Sequence, residues 1–364
     1  MIIHRAFYRE ATQATLAITG VIMVVLVFFG MTALLGRVAG GRFTDTILFT
    51  LLGLQTLKRL DLLLPLALYL GILLTLSRWY RDSEMTVLAA CGVGLLELLR
   101  PVMVLALIVS LAVGVLSFYF TPLAYSQMER VKNENAARPD IGRMAPGAFI
   151  ESSKGQRIFY TEKIDSRNGV LKNVFVGSFR DGKRGVLVAR SGKPYVEPKT
   201  GDKFLALKNG ALYEGIPGEA DYRILEFETY NVRLEPKKVE PSSATTSGMS
   251  SDRLFGSRVK DHVAEWHWRM AKPIVVLVLS VFALVLAYTD VRRGRLSNVF
   301  TAILVYFIYS NLLVFGQTLI KKGQIPSVIG LWWVHILLAF IAGYLLMRRA
   351  RNLPLLPLPR AAKP

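Results

Sequence analysis

Few residues in this sequence are spaced for covalent chemistry. The stretch "GSFRDGKR" (177–184) comes closest, departing from the phosphate-cradling pattern G-x-x-x-x-G-K-[ST] at its last position. Arg184 stands where a hydroxyl would hold magnesium. The flanking alternation also predicts a hairpin, so no helix N-terminus follows to receive a phosphate. A nucleotide site is not expected there. The chain has four histidines and a single cysteine, Cys91, which excludes an intrachain disulfide. Without H-E-x-x-H, G-x-S-x-G or a dense Cys/His cluster, neither a catalytic metal nor acyl transfer has support. No catalytic residue, metal or resident cofactor is expected.

A second stretch, "RDSEMTVLAACG" (81–92), lies between two long apolar runs. Asp82 or Ser83 can cap a short helix, and Gly92 can end it in a left-handed conformation. Met85, Leu88 and Ala89 take the i, i+3, i+4 spacing of one apolar stripe. Glu84 falls in the first turn, where the helix dipole favours a carboxylate. Two readings fit these residues. One is a helix lying on the membrane with its acid solvated. The other is a knob seated in a partner's groove, with Glu84 meeting an arginine or lysine there.

The elements that must hold this stretch follow from composition. The 364 residues are 52% hydrophobic and 20% charged, with a formal net charge of +19 and a mean hydropathy of +0.38. That is too apolar for a soluble domain and too charged for membrane throughout. Residues 123–268 hold 24 Lys+Arg against 19 Asp+Glu, and the remainder 21 against 7, mostly beside apolar runs. Basic residues flanking spans are an orientation signal, so nucleic acid is not an expected partner.

Apolar runs long enough to cross a bilayer lie near 14–36, 60–79, 101–121, 271–289, 297–319 and 330–347. The first is longer than a signal-peptide core and lacks a cleavage signal, so it reads as a retained helix. Arg5 and Arg9, then Arg78, Arg81 and Arg100, then Arg292, Arg293 and Arg295, and finally Arg348, Arg349, Arg351, Arg360 and Lys363 all fall on one side of six spans. That side is expected to be cytoplasmic, with both termini there and residues 123–268 outside.

Between 155 and 234 apolar and polar residues alternate, with the turn pairs Asp181-Gly182 and Asn209-Gly210. An antiparallel sandwich or jelly-roll-like sheet is expected. Ile158, Phe159, Val174, Val176, Leu205, Leu225 and Phe227 are its candidate interior residues, either packed as a core or lining a passage. The Ser/Thr-rich stretch 239–253 reads as a mobile linker. Trp266 and Trp268 suit the membrane interface. The expected fold is therefore an α+β membrane protein of three plus three spans. Residues 1–122 carry spans 1–3 and the short helix 82–92, 123–268 form the β domain, and 269–364 hold spans 4–6 and a tail.

Four stretches, "MIIHRAFYRE" (1–10), "LLPLALYLGILLTLSRWYRDSEMTVLAACG" (63–92), "DYRILEFETY" (221–230) and "HWRMAKPI" (267–274), resemble the LptF/LptG permease family. Its members are the membrane subunits of the lipopolysaccharide exporter, and the start of the chain favours the LptF branch. The resemblance covers nearly the whole chain in order, and 63–92 is its most specific part. It implies a bacterial inner-membrane subunit paired with an LptG-like permease, two copies of an LptB-like ATPase that binds the ATP and magnesium, and an LptC-like β-domain protein. Residues 82–92 would be the coupling helix, with Glu84 in the ATPase groove and Asp82, Met85 and Leu88 around it. Lipopolysaccharide would enter a span-lined cavity and leave through the β domain, past Phe159, Val176, Leu225 and Phe227.

Lipid A carries acyl chains below phosphates and needs an apolar wall under a basic rim. Arg37, Lys321 and Lys322, at the outer ends of spans 1 and 5, can form that rim or simply snorkel. Asn311 and Gln317 lie within span 5, where an amide is costly against lipid, so they are expected to face protein or a cavity. Some family members carry basic residues in the outer half of span 1; Gly30 and Ala33 stand there in this sequence, which shifts the rim toward Arg37, Lys321, Lys322 or the partner. The alternatives are a generic lipid or lipoprotein permease, and a membrane-anchored receptor with an external β module and no energy coupling.

Overall fold

The computed structural model describes residues 2–39, 45–137, 146–151, 157–165, 169–180, 183–197, 203–215, 223–234, 246–288, 295–351 and 353. They form two compact units. One comprises Met1–Val27, Leu54–Ser126 and Ala244–Pro364, and the other Phe28–Gly53 and Gln127–Ser243.

The helices are α1 (Ile2–Ala39), α2 (Asp45–Leu57), α3 (Leu60–Arg81), α4 (Glu84–Ala90), α5 (Leu95–Val115), α6 (Thr121–Ala137), α7 (Ser251–Leu254), α8 (Lys260–Leu286), α9 (Arg295–Lys322) and α10 (Trp332–Ala350). Among the described residues six are long and apolar enough to cross a membrane, at the six expected places. Their ends differ from the apolar runs because helix continues into polar sequence. The first span begins at Ile2, the fourth at Lys260, and the third runs on through a π-helical turn, Leu116–Phe120, into α6. The 13-residue α2 was not anticipated; it is too short to span.

In the helical unit α8 is the hub, its buried stripe from Ala271 to Ala287 packed with Leu68, Ile72, Leu76, Val102, Ala106 and Val113. Gly71 lets α1 approach α3, since a Cβ there would run into Thr15 Oγ1 and lie 3.0 Å from the Thr15 backbone nitrogen. Pro273 removes the N–H that would bond the Arg269 carbonyl one turn back. Ser117, in the π turn, donates its hydroxyl to that carbonyl at 3.2 Å. Ser110 donates to the Pro273 carbonyl at 2.8 Å. Neighbouring helices thus satisfy backbone groups that lipid cannot.

Large apolar side chains such as Val24 and Phe28 on α1, Leu107 and Leu111 on α5, and Phe300 and Phe307 on α9 stand exposed. That is the pattern of surfaces whose solvent is lipid or another span.

The second unit contains one six-stranded antiparallel sheet in the order β1-β2-β3-β4-β5-β6. The strands are β1 (Phe149–Glu151), β2 (Arg157–Asp165), β3 (Val170–Arg180), β4 (Lys183–Val196), β5 (Lys203–Gly215) and β6 (Arg223–Leu234). The inserted antiparallel domain is as expected, and its connectivity is a meander. Asp181-Gly182 lies outside the described residues, between β3 and β4.

Asn209-Gly210 is not a turn: it sits inside β5, and Asn209 has φ +52° while the strand continues. Asn173 in β3 has the same φ. The reason lies in the register. Thr161, Val174, Ala189, Gly210 and Phe227 form one cross-strand row, and Ile164, Leu171, Gly192, Leu207 and Tyr230 the next inward-facing row. Within each of β2 to β6 these residues are three apart instead of two, so the alternation breaks along one line across those five strands. The pairing register is unbroken across that line, so no strand carries a bulge relative to its neighbour; left-handed asparagines permit the change of phase on β3 and β5. Thr161 donates its hydroxyl to the carbonyls of Lys172 at 2.9 Å and Lys163 at 3.2 Å beside the crease. Both sides of the crease feed one buried cluster containing Phe159, Val174, Val176, Leu187, Leu205 and Leu207.

Candidate functional site

The elbow between α3 and α5 is built by a backbone reversal. Ser83 adopts φ +61° before α4, and neither it nor Asp82 makes a side-chain cap, contrary to expectation. The left-handed turn at Ser83 itself delimits the helix, so no hydroxyl or carboxyl acceptor is needed to mark its start. Gly92 ends the turn at φ +85°, as its type suggested.

Met85 is 6% exposed and joins the bundle core, with Leu88 half-buried against it. Met85 and Leu88 therefore face the chain's own helices and fix the elbow to them, whereas Ala89, expected on the same stripe, is exposed. The outward surface includes Asp82, Glu84, Val87 and Cys91. Val87, 62% exposed, was missed in the sequence because it lies off the stripe, and that position is what exposes it.

Arg78 organises the acids. Its Nη2 lies 2.7 Å from Glu10 Oε2 and 3.7 Å from Glu84 Oε1, and its Nε 3.9 Å from Asp82 Oδ2. The Trp79 indole N–H donates to the same Glu10 oxygen at 2.9 Å. Tyr80 packs edge-on against Tyr288 at 5.2 Å, and the Arg349 guanidinium lies 3.7 Å from the centre of the Tyr288 ring. The start of α1, the elbow and the ends of α8 and α10 thus share one end of the bundle, the end rich in arginine.

Charges also lie deep in the spans. Asp61 is fully buried and accepts hydrogen bonds from Lys272 Nζ at 2.5 Å and Thr121 Oγ1 at 2.9 Å, while its Oδ1 has no partner. Arg269, 1% exposed, pairs with Glu265 at 3.2 Å and donates to Ser251 Oγ and to the Ser247 and Met249 carbonyls. Residues 246–253, expected to be mobile, are therefore turns and a short helix clamped by a buried guanidinium; 239–245 lie outside the described residues. The sequence signal for the first cluster was an ionisable residue at the margin of an apolar run; Arg269 and Glu265 lie outside the runs and gave none.

The expected lipid-binding residues are placed as follows. Lys321 and Lys322 are exposed in the last turn of α9. The Arg37 side chain lies outside the described residues. Asn311 is exposed and donates to the Phe307 carbonyl of its own helix at 2.8 Å, and Gln317 is half-buried. In the sheet Phe159, Val174, Val176 and Leu205 are buried and Phe227 packs on them. Ile158 is half-buried and Leu225 is 42% exposed on β6. No group of three or more metal-ligating side chains occurs among the described residues.

Six helices long and apolar enough to span, an inserted antiparallel sheet and a short acid-bearing elbow define a multi-pass membrane protein. The family described as "Lipopolysaccharide export system permease LptF/LptG" matches residues 5–348, and the chain belongs to it. It is 27% identical over 349 residues to the "Lipopolysaccharide export system permease protein LptF" of Escherichia coli (strain K12), covering 94% of this chain and 93% of that protein. The protein of the same name from Shigella flexneri matches to the same extent.

Proposed function

We propose that this family member is the stroke-receiving permease subunit of lipopolysaccharide export, driven by ATP hydrolysed on another chain. The observation that carries the reading is the elbow, an exposed carboxylate on a short helix whose apolar side is anchored in the bundle. Such a part moves as one body with α3 and α5 when a partner grips it. An LptB-like ATPase dimer, holding the ATP and magnesium, would seat Glu84, with Asp82 and Val87 beside it; Met85 and Leu88 would carry the load inward.

The arginines at the elbow end support a cytoplasmic placement for both termini, in the bacterial inner membrane, with the β domain in the periplasm. The apolar faces of α1, α5 and α9 would meet an LptG-like permease, and the two chains together would enclose the lipid. Lys321 and Lys322, with Arg37, would contact phosphates, while Asn311 and Gln317 would face the lumen. Acyl chains would then pass to the β domain and on to an LptC-like neighbour. The residues of that route, Phe159, Val176, Leu225 and Phe227, include tightly packed ones, so transit would require the sheet to open.

Replacing Glu84 with alanine tests the reading: co-purification of the ATPase and lipopolysaccharide release from proteoliposomes should both fall. Normal assembly and export would return the chain to the receptor reading. A photocrosslinker at Phe159 should trap lipopolysaccharide only with ATP present; absent or ATP-independent crosslinks would remove the interior route.

A further inference from the structure

We infer that Glu10, on the first span, receives the elbow's movement through Arg78, which makes Glu10 and Arg78 positioning residues for export. The inference rests on the coupling role proposed for Glu84.

One guanidinium faces three carboxylates. It is within hydrogen-bond distance of Glu10 alone, at 2.7 Å, and holds Glu84 and Asp82 at 3.7 and 3.9 Å. Contacts at those lengths are electrostatic only. Asp82 has a second cation, Arg81 Nε at 3.4 Å, whereas Glu84 has only the 3.7 Å contact with Arg78 among the described residues, so Glu84 is left under-neutralised and ready for an external cation. When a partner's basic group takes Glu84, Arg78 loses a competing anion and its pairing shifts toward Glu10. The elbow and the first span then change their mutual hold in one step.

The rest of α1 shows why that hold matters. Between residues 2 and 27 its buried positions are Phe7, Ala11 and Thr15, a single i, i+4, i+8 seam. Phe7 meets Trp79 edge-on at 6.1 Å, and Thr15 lies against Gly71. Beyond Thr15, up to residue 27, the helix has no buried residue. The helix is buried again only at Gly30 and Leu34, so over this stretch its buried attachment lies beside Glu10. Glu10 sits within this seam's length, and both Arg78 and Trp79 bind the same Glu10 oxygen. The last turn of α3, which leads directly into the elbow, therefore grips the base of the first span through one carboxylate.

The test uses the complete permease–ATPase complex in proteoliposomes loaded with lipopolysaccharide. Glu10→Gln should leave assembly intact and lower lipopolysaccharide released per ATP about tenfold, the loss of one charge-assisted hydrogen bond at about 1.4 kcal/mol per decade. Nitroxides at positions 21 and 62, in a Cys91→Ser background, should report a nucleotide-dependent distance change between α1 and α3 that Glu10→Gln abolishes. A purely structural role would lower assembly and leave that change in place. Should Glu10→Gln fail to assemble, Arg78→Gln removes the same pair from the other side and should uncouple equally. Wild-type export per ATP, or an unaltered distance change, in whichever variant assembles overturns the inference. Failure of the coupling reading is separate: it shows as normal export in Glu84→Ala.

Discussion

Lys272→Met provides the sharpest energetic test of the helical unit. Asp61 is fully buried, Lys272 is 7% exposed, and they meet at 2.5 Å with Thr121 completing the cluster. Removing the ammonium leaves a carboxylate in the spans with one hydroxyl donor and an unpartnered Oδ1. Breaking a buried pair from one side costs about 3–5 kcal/mol, because the surviving charge is stranded. At roughly 2–4 °C per kcal/mol for a unit of this size, Tm should fall by about 6–20 °C. Asp61→Asn should cost less, since the lysine stem is long enough to lean its charge toward water. The double variant Asp61→Asn/Lys272→Met should recover most of the loss, because a neutral pair needs no counter-charge and such replacements are often neutral or stabilising by about 1–4 kcal/mol. Thermal unfolding of the four proteins in nanodiscs measures the cycle. A Lys272→Met protein as stable as wild type, or a double variant less stable than both single ones, would refute the reasoning.

Three further outcomes are expected. Gly71→Leu should push α1 off α3, costing about 1–3 kcal/mol as overpacking does, read as a lower Tm in nanodiscs. Gly210→Val should destabilise the sheet more than Gly169→Ala, since a Cβ at 210 would meet Phe227 Cζ at 2.7 Å and Ala189 Cα at 2.9 Å whereas none lies near 169; limited proteolysis of residues 157–234 reads the difference. Arg269→Met should free the segment 246–254, seen as faster amide exchange there, because its two carbonyls and Ser251 lose their common donor.

Span number, the inserted β domain and the elbow were legible because each has a periodicity or a length that survives any tertiary context: about twenty apolar residues, an alternation of two, a short stripe ending in glycine. What failed was local. Asn209-Gly210 signals a left-handed residue, and the sequence has no way to say whether the chain reverses there or merely changes phase, since register with β4 and β6 decides that. The Ser/Thr-rich 246–253 looks mobile by composition, yet a distant guanidinium orders it. Ser83 was read as a hydroxyl cap and acts through its backbone instead. Glu10 and Arg78 are 68 residues apart, and nothing short of the α1–α3 seam joins them. Charged residues at the margins of apolar runs, Asp61 and Lys272, did carry a signal, which weighing each run as a whole had averaged away.

The crease in the sheet has a consequence for any strand that joins its edge. An ordinary strand keeps an even beat of inward side chains and would be in phase with β6, the edge that crosses the line, on one side of it, then half a beat out on the other. Only a newcomer that skips at the same row stays matched along its full length. The crease therefore works like a notch on a key, admitting one alignment of a neighbouring sheet and rejecting slipped ones without a single side chain having to recognise its partner.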